Sequence, residues 1–254
     1  MMQIQLLRHA TFVLHYGGQI LLVDPMLSPK DTMDPVGNAS NQARIPMVEL
    51  PVDETGLRQI IDSLTGLIVT HTHRDHWDDA AIQQLPKNLP LICQPPDEEK
   101  MRSAGFTEVL VASDPLNWEG ISLHRTGGQH GKGKLRELMG PVSGFVLKHP
   151  DEPTLYIAGD TIWCEEVEEA LQQYQMDTIV LNAGGAQFLE GDPITMTTAD
   201  IMQVHQAAPQ ATILPVHMDT INHCLLTREK LRVELPADLL ENQTIQILED
   251  GETR

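Results

Sequence analysis

Residues Ile68 to Asp79 read IVTHTHRDHWDD, an apolar stretch that runs into His-x-His-x-Asp-His and then into a predicted helix start. If His71 and His73 continue the strand, a period of two puts both imidazoles on one side. The turn at Arg74 and Asp75 then redirects Asp75 and His76 to a neighbouring point, giving two adjacent ligand sets. Imidazole and carboxylate without thiolate suit zinc, manganese or iron, and suit a catalytic site better than a structural one. Three more residues have the same character. His130 lies in the Gly-rich TGGQHGKG loop (Thr126 to Gly133), Asp160 in AGDT and His217 in ILPVHMD, each after a predicted strand. Strand ends are where α/β folds commonly assemble their sites. Singly, each would read as a buried hydrogen-bonded residue or a turn; beside the motif they converge.

The elements that must position them are short apolar runs. One series covers Gln3 to Leu7, Thr11 to Tyr16, Gln19 to Val23, Leu67 to Thr70, Pro90 to Cys93 and Glu108 to Ala112. A second covers Ile121 to Thr126, Ser143 to Lys148, Thr154 to Ala158, Thr178 to Leu181, Thr212 to Val216 and Thr244 to Leu248, so two similar halves are expected. Helical spacing is clear in Glu165 to Tyr174 and in Thr198 to Ala208, where Thr197 and Asp200 stand at capping-box spacing and Pro209 stops the helix. Strand clusters with outer helices point to an α/β sandwich. Pro25 to Pro51 shows no sustained period and reads as a long ordered loop, and the polar tail Glu249 to Arg254 is expected to fray. No linker or repeat divides the chain, so residues 1–254 are expected to form one domain.

Bulk properties bound the function. The chain has 254 residues, 41% of them apolar, enough for a sizeable core. Its 36 acidic against 17 basic residues give a net charge of -19, which disfavours an extended nucleic-acid footprint or docking on anionic membranes and leaves a small-molecule substrate. MMQIQLLRHA lacks an export signal core, and Cys93, Cys164 and Cys224 form no paired framework, so a reducing cytoplasm is expected. Neither a His-Glu-x-x-His nor a Gly-x-Ser-x-Gly motif occurs. Gly128 to Lys134 nearly spells a phosphate loop, but Leu135 stands where Ser or Thr would meet magnesium. Lys132, Lys134 and Arg136 crowd after His130 and have two readings, attraction of an anionic substrate group or a solvated basic loop.

Taken in order, Asp24, the group from His71 to His76, His130, Asp160 and His217 resemble the signature of the metallo-β-lactamase superfamily. The opening HATFVLHYGGQILLVDPML (His9 to Leu27) and the GDT and PVH contexts look most like the branch containing ascorbate-6-phosphate lactonase. The resemblance implies a four-layer αββα sandwich and two divalent metal ions, zinc first, with manganese or iron as alternatives. It makes His71, His73 and His130 ligands of one ion and Asp75, His76 and His217 ligands of the other, with Asp160 bridging and Asp75 handling a proton. Asp24 would orient ligands from behind, although Asp-Pro after a strand is also a common turn. His9 lines the pocket or is a satisfied core histidine, and His223 approaches the site or sits in a loop. The implied reaction is hydrolysis of a small lactone or ester, with or without a phosphate, by water activated between the ions. A phosphodiesterase and a non-catalytic metal or ligand sensor are the alternatives, and relatives suggest a homo-oligomer.

Overall fold

Alternation along the first strands decides which side chains meet. In β1 (Gln3–Arg8), β2 (Thr11–Tyr16) and β3 (Gln19–Val23), residues such as Leu6, Phe12, Leu14 and Leu21 share one buried face, while Val13 and Leu22 point to the other. A sheet apolar on both faces must be covered on both. In the computed structural model, which describes residues 1–112 and 115–254, it is. These strands form an antiparallel meander, and β4 (Gly66–Val69), β5 (Leu91–Cys93) and β6 (Val109–Val111) extend it in parallel. The parallel steps need crossovers, which run through α1 (Glu54–Ser63), α2 (Asp79–Gln84) and α3 (Glu98–Ser103). Their Leu57, Ile61, Ala81 and Met101 close the outer face.

The second sheet repeats the plan. Strands β7 (Leu116–Trp118), β8 (Ile121–Thr126), β9 (Gly144–His149) and β10 (Glu152–Ile157) are antiparallel, and β11 (Thr178–Asn182) and β12 (Thr212–Val216) add in parallel. Helix α4 (Lys134–Met139) lies between β8 and β9, α5 (Glu165–Gln173) and α6 (Thr198–Ala207) make the crossovers, and α7 (Arg228–Glu234) and α8 (Ala237–Glu241) follow. Phe145, Leu147, Leu155 and Val180 meet the first sheet, while Val146, Tyr156 and Ile179 pack against Val167, Leu171 and Ile201 of α5 and α6. The result is the expected four-layer αββα sandwich. Helix α6 begins with the capping box that Thr197 and Asp200 predict. Among the described residues, no helix is long and apolar enough to cross a membrane.

Several local expectations are corrected. Strand β4 stops at Val69, so His71 and His73 lie beyond it: the Thr70 amide donates to the Asp24 carboxylate at 2.7 Å instead of extending a ladder. The run Thr244 to Leu248 is not a strand, because the Ile245 amide turns back to the carbonyl of Leu239 and leaves a single bridge to Ile213. Strand β7 has no clear period of its own in the sequence. The C-terminal tail does not fray. Edge strand β1 offers unpaired backbone groups, and the tail takes them: Ile4 and Arg254 exchange both amide bonds at 2.9 Å, Leu6 donates to Glu252 and Gly251 donates to Leu6. Deleting residues 251–254 should therefore destabilise the fold by about 2 kcal/mol or more. For a chain of this size, the thermal midpoint should drop by roughly 4–8 °C, measurable by calorimetry.

Candidate metal centre

The site forms where the two sheets meet, at the ends of strands. Asp24 follows β3, His71 follows β4, His130 follows β8, Asp160 follows β10, Asn182 ends β11 and His217 follows β12. Tight backbone turns put them there. His9, Asp24 and His217 are non-glycine residues with φ of 60°, 43° and 70°, a sparsely populated region where strain tends to mark functional positions. Gly184 matters for proximity: a Cβ there would lie 2.2 Å from the carbonyl oxygen of His217.

Hydrogen bonds behind the rings decide which nitrogens face inward. The Thr70 hydroxyl gives its proton to Asp24 at 2.7 Å, so His71 Nδ1, 3.1 Å away, donates to that hydroxyl and leaves Nε2 for the site. His76 Nδ1 donates to Asp24 at 2.8 Å, and His130 Nδ1 donates to the carbonyl of Ile194 at 2.8 Å. Cys224 Sγ lies 3.6 Å from His217 Nδ1. The inner nitrogens crowd together: His71 Nε2 is 3.0 Å from His73 Nδ1, and His76 Nε2 is 3.2 Å from His217 Nε2. Asp160 is within 3.4 Å of His76, His130 and His217 and 3.8 Å from His71, held by Asn182 Nδ2 at 2.7 Å.

Among the described residues, three groups bring ligand atoms within 4.8 Å of one another: His71, His73 and His130; His9, Asp75, His76 and His217; and His71, His76 and Asp160. The seven residues proposed as ligands from the sequence thus lie together. His9 joins them, its Nε2 3.2 Å from Asp75 Oδ2. Nitrogens facing each other at such distances repel unless a proton or a metal cation sits between them, and an all-nitrogen-and-oxygen donor set suits a divalent ion.

The electrostatics agree. Burial opposes charge on every member. Even so, the carboxylates of Asp160, Asp75 and Asp24 overcome it at His76, raising it to about 10, and Asp160 raises His217 as well. The same histidines, against burial, hold Asp75 and Asp160 well below the usual carboxylate range. Burial dominates at His9, His71 and His130, which are lowered. The carboxylates thus favour protons on His76 and His217, and a metal ion held by those nitrogens would displace them.

The centre opens into a cavity of about 250 Å³. His223 stands in its wall, buried, with Nδ1 lacking a protein partner and its ring beside Phe188; burial lowers it to about 4. It belongs both to a turn and to the site, where the sequence left a choice. The long loop lines the opposite wall through Val36 and Gly37. Asn222 pins it, accepting the Val36 amide and donating to the carbonyls of Val36 and Asn41. Arg8, buried, clamps both ends through the carbonyls of Met26, Ser28 and Val48. Lys132 and Lys134 are exposed and absent from the cavity wall, and Arg136 pairs with Glu166 at 2.8 Å; Arg74 is the cation in the wall. Thr70, Asn182 and Asn222 escaped the sequence reading. Thr70, ending one predicted apolar run, and Asn182, directly after another, carried a strand-end signal.

Two measurements test this geometry. Removing Asp24 by Asp24→Ala leaves His76 Nδ1 without its acceptor and should weaken cation affinity by roughly 10- to 100-fold in a chelator competition. In chelated protein, His76 bound at a raised pKa stabilises the fold fully below about 6.5, and that contribution is lost as pH rises toward about 10. Thermal denaturation should accordingly show stability falling over that interval, and added zinc should flatten the fall.

Residues 20–218 match the Beta-lactamase superfamily domain. UPF0173 protein YddR of Bacillus subtilis is 40% identical over 99% of both chains. UPF0173 metal-dependent hydrolase PAE2160 of Pyrobaculum aerophilum is 26% identical over 86% of this chain and 85% of its own. Among solved structures, a possible metal-dependent hydrolase from Veillonella parvula is 38% identical, with a TM-score of 0.94 over 100% of this chain and 99% of its own. An isothiocyanate hydrolase from Delia radicum gut bacteria is also 38% identical, with a TM-score of 0.93 over 99% and 98%. With that family match, and with a His and Asp cluster that could hold metal in place, the chain belongs to the UPF0173 metal-dependent hydrolases of the beta-lactamase superfamily.

Proposed function

We propose that this chain is a two-metal hydrolase attacking the electrophilic carbon of a small, neutral substrate, with isothiocyanates as the leading class. The supporting observation is the cavity of about 250 Å³, where Val36, Met139 and Phe188 face the His and Asp cluster. It has room for a compact reacting group. The isothiocyanate hydrolase matched along nearly its whole length supplies the substrate class. Divalent ions bound by the cluster would lower the pKa of a coordinated water and polarise the carbon under attack. Zinc is the first ion to load, with manganese and iron as alternatives.

The chain's own residues carry the proton. Asp75, ionised and 3.2 Å from His9, is placed to accept it from the attacking water. His223, neutral at pH 7, lines the cavity where the substrate heteroatom would lie. Addition of water to the isothiocyanate carbon followed by cleavage of its C–N bond gives an amine and carbonyl sulfide. A second reading, a small lactone or ester with an anionic substituent, is favoured by Arg74 in the cavity wall. The absence of Lys132 and Lys134 from that wall weighs against a phosphodiester.

The test is amine release from allyl and phenethyl isothiocyanate beside a lactone, an aryl ester and a bis-aryl phosphodiester, with bound metal measured by elemental analysis. Wild type should carry about two ions, prefer an isothiocyanate and lose at least about 100-fold in rate in Asp160→Ala. Preference for the lactone or ester would favour the second reading. Turnover of the phosphodiester alone would refute both, and bound metal without turnover of any member would point to a sensor.

A further inference from the structure

Met139 and Phe188 have two exposures. On one side they line the metal cavity; on the other they line an adjoining groove of about 450 Å³ with Leu135, Leu138 and Leu189. The groove rests on an ordered base, since Leu135, Met139 and Phe188 pack against buried Ile194 and Ala186. Its upper walls are open: Leu138 is 79% and Leu189 69% exposed, a large apolar area for side chains beside a polar, buried centre. Asn38 and Glu190 form the rim, and the Leu189 amide bonds to the carbonyl of Asn38, tying the rim to the long loop.

We infer that this groove seats an apolar substituent of the substrate, an alkyl or arylalkyl chain that passes over Met139 and Phe188 while its reactive carbon lies in the cavity. The inference rests on the hydrolase reading above but concerns a different part of the ligand. Adjacency argues for a substrate chain: Met139 and Phe188 border both spaces, so a ligand too long for the cavity has an apolar groove directly beyond those two side chains. The Glu190 carboxylate at the rim disfavours an anionic tail. The exposed leucines form too small a patch for a stable dimer, which needs roughly 800 Å² per partner. Burying each added methylene should raise kcat/KM by roughly two- to fourfold until the groove is full.

The experiment pairs binding with kinetics, using Leu138→Gln/Leu189→Gln as the variant. Binding of 1-octanol to chelated protein is followed by NMR of labelled Leu and Met methyl groups, and hydrolysis is followed across n-alkyl isothiocyanates and esters from ethyl to octyl. The expected result is saturable shifts at the methyls of Leu138, Met139 and Leu189, with an octyl-to-ethyl ratio of kcat/KM that is high in wild type and at least about tenfold lower in the variant. If octanol shifts those methyls but no member of the series is hydrolysed, the groove stands and the reaction reading fails. If hydrolysis proceeds with the same chain-length dependence in both proteins, or octanol leaves the methyls unmoved, the groove inference is overturned. A wild-type dimer by sedimentation that the variant dissolves, with chain-length dependence unchanged, would assign the patch to a second copy and likewise overturn it.

Discussion

The rest of the structure depends on keeping several imidazoles and two carboxylates side by side away from water. The rings of His71, His76 and His130 give their outer N–H to the protein so that the inner nitrogen is available, and each outer partner must itself be held. Asp24 does the most: one buried carboxylate receives the Thr70 amide, the Thr70 hydroxyl and His76 Nδ1. It thereby ends β4, orients His76 and, through the hydroxyl, sets the tautomer of His71. Ile194 does the same for His130 with a backbone carbonyl. The sandwich is the scaffold that brings these partners to one seam.

That constraint explains the local backbone. His9, Asp24 and His217 occupy left-handed conformations directly after or between strands. A strand that simply continued would carry its side chain away along the sheet, so reversing the backbone at its last residue turns that side chain across the seam. The cost in conformational energy, of order 1–3 kcal/mol for each such residue, is offset by the packing of three apolar layers on either side of and between the sheets.

Much of this was legible because it is local. The His-x-His-x-Asp-His run, the strand periods and the Thr197 capping box are each written within a few residues. The ligands from distant segments, His130, Asp160 and His217, were legible through strand-end placement and family resemblance. What stayed hidden is set by contacts between remote segments: the choice of Asn182 as partner for Asp160, the pinning of the long loop by Asn222, and the role of Arg8 as its clamp. The tail misled for the same reason, since its polarity describes Glu249 to Arg254 alone, while its order comes from the vacant edge of β1.

That edge has a consequence for how the protein reaches its fold. Strand β1 is the first element in the chain, yet its outer backbone groups are met by residues at the opposite end. During synthesis, the first sheet can gather β1 to β6 and cover its faces, but its border remains a template for other strands until the far segment leaves the ribosome. Among the described residues, the interval between making β1 and capping it is thus the longest exposure of any strand pairing. The acidic surplus of the chain helps there too, because nascent copies that repel one another have less chance to join along that open border.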